Sequence, residues 1–175
     1  MKYFFVAIVC VAMVVGFVFM SNQKTSKQDE VLRIHIRANS NSEADQNIKY
    51  KIKDEVVKAL VPVLAECQTK QDAQSAMSKN FALIEGIANK VLQESGFNYR
   101  CKCRLATEEF PTRQYDDVVF ESGFYDALIV ELGDAVGDNW WCVVYPPMCF
   151  LQTGDGQVKY RWKLMEIINS FKNKD

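Results

Sequence analysis

The residues able to do chemistry are few and scattered. His35 is the one histidine, flanked by Ile34 and Ile36. A lone imidazole supports neither a multi-histidine metal site nor a visible triad. Strand alternation puts it with Arg33 and Arg37 on an outer face. Adjacent acids at Glu108-Glu109 and Asp116-Asp117 have the side chains for general acid–base work. Both pairs sit in loop-like sequence near Pro111 and read as solvated charges. Cys101 and Cys103 share one face of a strand, whereas zinc ligands favour the two-to-four-residue spacing of a turn. They read as small core residues, with a disulfide from one of them to Cys67 left open. No phosphate-cradling glycine loop and no Gly-x-Ser-x-Gly elbow occurs. No catalytic residue, cofactor or metal is therefore expected, and a binding or signalling domain is favoured over an enzyme.

The segment from Asn139 to Phe150 is the densest in informative side chains. Trp140 and Trp141 are adjacent, and Cys142 and Cys149 flank Pro146-Pro147. Neighbouring side chains on a strand point to opposite faces, so the tryptophans cannot share one core. Each carries roughly 150–250 Å² to bury, so one of them needs a second cover in the fold or in a partner. The chain between the cysteines can turn at the prolines and close a small disulfide loop, which would add about 2–3 kcal/mol in the chain-entropy model. A buried strand with two free core cysteines is the alternative.

The N-terminus sets the compartment. After Lys2 the run Tyr3–Met20 carries no charge. As a helix, about 18 residues rise roughly 27 Å, close to the hydrocarbon thickness of a bilayer. Residues 1–20 are expected to be a signal peptide or a membrane anchor, residues 21–30 a polar linker, and residues 31–175 an extracytoplasmic domain. The formal net charge is −1, and no basic stripe suggests nucleic acid.

The remaining elements must position these residues. Val31–Arg37 alternates and reads as a half-buried strand. Ser40 with Glu43 is a capping-box pattern, and Ile48, Ile52, Val56, Ala59, Leu60 and Val63 follow at helical spacing, with Lys49 mostly elsewhere. Pro62 ends or kinks that helix. Thr69 with Asp72 starts a second, carrying Ala73, Met77, Phe81, Ile84, Ala88 and Val91, and Gly96 closes it. From Asn98 the period is two, through strands near Val118–Phe120 and Phe124–Leu132 into the Trp-Trp strand. Gly154-Asp155-Gly156 marks a turn. Tyr160, Leu164, Ile167, Ile168 and Phe171 form the apolar face of a last helix. The fold expected is α+β: an antiparallel sheet covered by two long amphipathic helices plus a C-terminal helix, behind an N-terminal hydrophobic segment.

The chain resembles a known family along nearly the whole of its soluble part. Leu32–Ser40, Ser42–Gln46 and Lys49 are similar to the opening of stage II sporulation protein R. Phe110–Arg113 with Tyr115 resembles its middle. Tyr125–Leu128, Asn139–Cys149 and Tyr160–Phe171, with Lys163 and Glu166, resemble its end. The chain departs from the family at Glu121, at Ser122 and in the loop Gly133–Gly137. The resemblance implies a non-enzymatic signal, secreted or membrane-tethered, acting in the space between forespore and mother cell. Its partner would be the membrane-embedded aspartic protease that processes pro-sigma-E. The residues expected at the partner surface are Trp140, Trp141, Tyr145, Pro146 and Pro147, held by a Cys142–Cys149 bridge. A different reading is an extracytoplasmic wall-saccharide-binding module or hydrolase built on the Trp-Trp strand, with Asp134 and Asp138 as its acids.

Overall fold

The computed structural model describes residues 27–115, 118–150 and 158–173. The expected hydrophobic segment 1–20, most of the linker, Asp116-Asp117 and the turn Gly154-Asp155-Gly156 lie outside the described residues. Among those described, no helix is long and apolar enough to cross a membrane.

A 3-10 turn at Lys27–Glu30 leads into strand β1, Leu32–Arg37. Helices α1 (Glu43–Leu64), α2 (Lys70–Lys79) and α3 (Phe81–Glu94) follow. Then come β2 (Cys101–Phe110), the short pair β3 (Arg113–Tyr115) and β4 (Val118–Phe120), β5 (Gly123–Leu132), β6 (Asn139–Tyr145) and α4 (Val158–Lys172). The fold is α+β, but the main sheet is mixed. Its order is β2-β5-β1-β6. β1 runs parallel to β5, with Arg33 opposite Ala127, and antiparallel to β6, with Ile36 opposite Trp140. The expected all-antiparallel sheet is thereby corrected. Three helices and the strands β2, β3 and β4 separate β1 from β5 in sequence, which is enough chain for a crossover that brings two strands side by side in parallel.

The helix boundaries follow local chemistry. α1 is capped by Ser42, whose hydroxyl accepts from the Asp45 N–H, and not by Ser40. Pro62 lies inside α1, which runs on only to Leu64. Thr69 and Asp72 form the reciprocal capping box expected for α2. The second long helix is in fact two. Asn80 breaks it, its side chain donating to the Ala76 carbonyl at 2.8 Å and its N–H to Met77 O at 3.0 Å. Such a side chain competes with the helix for backbone acceptors. At the end of α3, Gly96 takes φ +81°. Its N–H donates to Gln93 O and that of Phe97 to Leu92 O, the reciprocal closure that a left-handed residue permits.

Both faces of the sheet are covered. Leu32, Ile34, Ile36, Leu128 and Val130 meet the apolar faces of α1, α2 and α3 in the main core. The opposite face carries Ala127, Ile129 and Val143 into a second cluster with Phe110, Phe120, Tyr125, Ile168 and Phe171. The C-terminal helix covers this second face with Ile168 and Phe171, while its Leu164 meets Val61 and Ala65 at the end of α1. Arg33 and His35 lie on this second face, as alternation demands, yet they are buried where an outer face was expected.

Candidate functional site

The second face holds a half-buried polar cluster around the buried His35. Glu108 is its hub: it accepts from Arg37 at 2.8 Å, from Arg104 at 2.8 Å and from His35 Nδ1 at 3.0 Å. Glu131 takes further bonds from Arg37 and Arg104, both at 3.1 Å. Glu108 is therefore an ion-pair centre and not the solvated loop acid expected from sequence. Burial works to raise its pKa, but hydrogen bonds from Arg104 and His35 and the charge of Arg37 hold it below the usual carboxylate range. Burial lowers the His35 pKa, and the neighbouring Arg37 adds to this, against the hydrogen bonds that the ring makes to Asn139 and Glu108, which favour its charged form. The imidazole is held neutral by the fold and packs on Phe110 and Trp141.

That shift has a consequence for stability. A histidine whose folded pKa lies below its unfolded value of 6.5 binds fewer protons folded than unfolded, so stability is full above pH 6.5 and falls as pH drops through that value. Urea midpoints measured between pH 7.5 and 5.5 should fall for the wild type, and His35→Gln should flatten the slope. An unchanged slope would mean that His35 does not titrate with folding.

Arg33 is fully buried over Phe110, at 4.4 Å from the ring centroid, and Tyr125, at 4.9 Å. Its Nη2 donates to Tyr115 Oη at 3.3 Å, and that hydroxyl donates to Trp141 O at 3.0 Å. Nε and Nη1 have no hydrogen-bond partner among the described residues. The guanidinium lies over two ring faces, an arrangement that suits its weakly hydrated planar charge. Among the described residues no group of three or more potential ligands gathers for a metal.

Ala38-Asn39-Ser40 forms a tied corner. Asp45 accepts from Asn39 at 2.9 Å, from the Ser40 hydroxyl and from the Tyr99 hydroxyl. Burial opposes the charged form, but bonds from Ser40, Tyr99, Asn39 and Ser42 hold the Asp45 carboxyl below its ordinary range. The loop after β5 is sewn to the same corner: the Asp134 N–H donates to Asn39 Oδ1 at 2.9 Å and the Gly137 N–H to Ala38 O at 3.0 Å. Lys49 is buried here too, contrary to its expected outward position, and donates to Asp138 O at 2.9 Å.

The Trp-Trp strand is β6, at the sheet edge. Its two tryptophans do point to opposite faces, but neither is the exposed member expected. Both are half-buried. Trp140 packs on the main core, with Lys53 Nζ 5.7 Å from its ring. Trp141 packs on the second cluster beneath Arg113, at 4.9 Å. The strongly exposed apolar side chains are elsewhere, at Phe124 near the start of β5 and at Val136 in the loop after it. Pro146 and Pro147 are buried. Cys142 and Cys149 are buried thiols, and Cys149 Sγ donates to Val143 O at 2.9 Å. Burial, with the Cys142 thiol beside it, pushes the Cys149 pKa well up. Cys101 and Cys103 share the core-facing side of β2 with their sulfurs 4.0 Å apart, also as thiols.

At the end of β6 the surface opens into a pocket of about 610 Å³. Tyr145 and Pro146 line it together with the end of α1, the start of α2 and one side of α4. Asp29, Glu30, Glu66 and Glu166 stand around it. Lys70, the cation among its lining residues, is held by Asp126 at 2.8 Å. Burial, with Cys67, Asp72 and Glu30 nearby, pushes the Tyr145 phenol up to about 12. Burial likewise pushes the Cys67 thiol up to about 11, so it stays protonated. The structure thus brings Tyr145 and Pro146 to a concave site and leaves the tryptophans on either side of the sheet. Sequence reasoning missed the acids of the pocket, because they come from three separate segments, Asp29-Glu30, Glu66 and Glu166.

The family described as Stage II sporulation protein R (spore_II_R) matches residues 28–155. Stage II sporulation protein R of Bacillus subtilis (strain 168) is 32% identical over 136 residues, covering 78% of this chain and 61% of that protein. The chain thus spans about three-fifths of the length of this relative. No solved structure matches. The match takes in β1, the corner at Asp45, the Glu108 cluster and the whole Trp-Trp strand with its prolines, and the chain belongs to the stage II sporulation protein R family.

Proposed function

We propose that this protein is a sporulation signal, secreted or membrane-tethered, that activates the membrane-embedded aspartic protease processing pro-sigma-E in the mother cell. The observation that carries the reading is the family match across residues 28–155. The charge-free run Tyr3–Met20 supports export into the space between forespore and mother cell. The fold suits a trigger: a sheet covered on both faces presents fixed surfaces, and a preorganised surface loses little entropy on binding. Such a ligand shifts its receptor only by binding the active arrangement more tightly than the inactive one. The wall-binding reading draws no support from β6, since Lys53 and Arg113 lie over the rings that a sugar would stack on.

Co-expression in a non-sporulating host checks the proposal. The full chain, the protease and the sigma precursor are produced together, and the precursor is followed by immunoblot. Cleavage should require the chain and should vanish when residues 1–20 are removed. Equal cleavage without the chain would overturn the reading.

The Cys142–Cys149 bridge belongs to the same proposal. Two buried thiols that both face the Val143 carbonyl need only an extracytoplasmic disulfide oxidant, which takes up two electrons and two protons as the S–S bond forms. Alkylation of the exported, denatured, unreduced chain should leave both cysteines unlabelled by mass spectrometry. Labelling at both would remove the bridge.

A further inference from the structure

Strand β2 is one edge of the main sheet, and only part of that edge is closed. Its register with β5 runs without a break from Cys101 opposite Leu132 to Phe110 opposite Gly123. In an antiparallel pair every second residue turns both its N–H and its C=O away from the neighbouring strand. In β2 these are the odd-numbered residues. The Cys101 N–H donates to Asn89 Oδ1 at 2.8 Å and the Cys103 N–H to Glu85 Oε1 at 2.7 Å, both acceptors on α3. The helix therefore closes the edge at its first two outward positions. Beyond them, no described residue bonds the outward backbone groups of Leu105, Thr107 or Glu109. Thr107 and Glu109 are exposed, and Leu105 is half-buried. The opposite edge is different: on β6 the Trp141 carbonyl accepts from Tyr115 and the Val143 carbonyl from Cys149. An open row of backbone donors and acceptors is a template for one more strand. The open stretch of β2 is also symmetrical about Thr107. Four residues before it stands Cys103, whose N–H is taken, and four residues after it stands Pro111, which has no N–H.

We infer that β2 pairs with β2 of a second copy of this chain, antiparallel across a two-fold axis at Thr107. Leu105 then stands opposite Glu109 of the second copy, Ala106 opposite its Glu108, and Thr107 opposite its own counterpart. Leu105, Thr107 and Glu109 of each copy exchange both backbone bonds with the residue they face. Each Cys103 faces a Pro111, and neither needs an N–H bond from the other. Moving the register by two residues either way sets an open position against the capped Cys103 or against Pro111. No like charges stand opposite one another, and facing threonines are a favourable cross-strand pair. Glu108 is already neutralised within its own chain by Arg37 and Arg104. A contact of this kind uses the same patch on both copies, closes on itself, and joins two four-stranded sheets into one. The inference does not depend on the sporulation reading.

The test uses the full chain, produced in one bacterial host in two differently tagged forms and extracted in mild detergent. Recovery of one tag with the other reads self-association. Wild-type copies should co-purify. Thr107→Lys in both copies sets like charges against each other on the axis and should lower recovery about tenfold or more. Thr107 is exposed, and Asp126, which its hydroxyl bonds, keeps Lys70 and Gln74. Thr107→Lys in one copy with Thr107→Glu in the other should restore recovery. Thr107→Pro removes an N–H that bonds nothing within the chain, at the kind of outward position where edge strands accept proline. It should lower recovery as the lysine pair does. Thermal melting of each variant alone should stay within a few degrees of wild type, so that a loss of recovery reads the contact and not unfolding. Glu94→Lys, at the exposed end of α3, should have no effect. Wild-type copies that fail to co-purify would overturn the inference. So would recovery that neither Thr107→Lys nor Thr107→Pro lowers, which would put the contact elsewhere, in residues 1–20 or on another face. A loss in the lysine pair that the lysine–glutamate pair does not restore would overturn it too, and would assign the open edge to a strand of a different protein.

Discussion

Gly137→Ala should leave little folded protein. A Cβ at position 137 would lie 2.2 Å from Ser40 O and 2.9 Å from Ser40 Cα. Both are backbone atoms, so no flexible side chain can swing away. The Gly137 N–H donates to Ala38 O at 3.0 Å, and that bond holds the loop against the corner where the clash arises. Relief requires parting the loop from Asn39 and Ser40, which also strands the Asp134 and Asp138 amides bonded to Asn39 and Asn41. The expected cost is about 4 kcal/mol or more, a large share of the roughly 5–15 kcal/mol that stabilises a domain. Gly86→Ala is the control. It sits inside α3 with nothing within 4 Å of its added Cβ, and it should stabilise by about 0.5–1 kcal/mol because alanine loses less backbone entropy in a helix. Thermal melting of the two variants checks both signs. A Gly137→Ala protein melting within a few degrees of wild type would show that the corner is loose.

Asp45→Ala should be nearly as severe. The carboxylate is 6% exposed and satisfies Asn39, Ser40 and Tyr99 together. Bonds to a charged acceptor are each worth about 1.5–3 kcal/mol, and they do not add in full when partners are shared. Removal leaves the Tyr99 hydroxyl facing a cavity and unties Asn39 from both α1 and the loop. The expected loss is about 3 kcal/mol in urea unfolding. Asp45→Asn, which keeps the shape without the charge, should lose about half of that. The wild-type contribution has a defined pH window: the folded pKa is depressed below 3.8, so the stabilisation is present above that value and is lost as pH falls through the folded value. The difference between wild type and Asp45→Asn should therefore shrink below about pH 4. A constant difference across that range would contradict the account.

Local features of the fold were legible in the sequence, and long-range ones were not. The strand at Leu32–Arg37, the Thr69–Asp72 box and the role of Gly96 depend on neighbours a few residues away, and each forms where it was read, although the strand expected to be half-buried is buried on both faces. The break at Asn80 was missed because apolar spacing runs on through Met77, Phe81 and Ile84, while an asparagine side chain turns back on Ala76. The parallel pairing of β1 with β5 depends on residues about ninety apart in sequence, and no period reports it. Alternation correctly put Arg33 and His35 on the face opposite Ile34. It says nothing of what covers that face, and α4 with the Phe110 and Phe120 region turns it into a second core. The candidate site divided in the same way. Tyr145 and Pro146 were singled out from sequence, whereas Glu66 and Glu166 join them only through the packing of α4 beside the end of α1.

The central claim is that this chain triggers processing of pro-sigma-E across the intermembrane space. The direct measurement is an immunoblot of the precursor in a sporulating strain deleted for the chain, with and without a copy expressed in the forespore. The account predicts uncleaved precursor in the deletion strain and restored cleavage with the forespore copy. Normal cleavage in the deletion strain would contradict it.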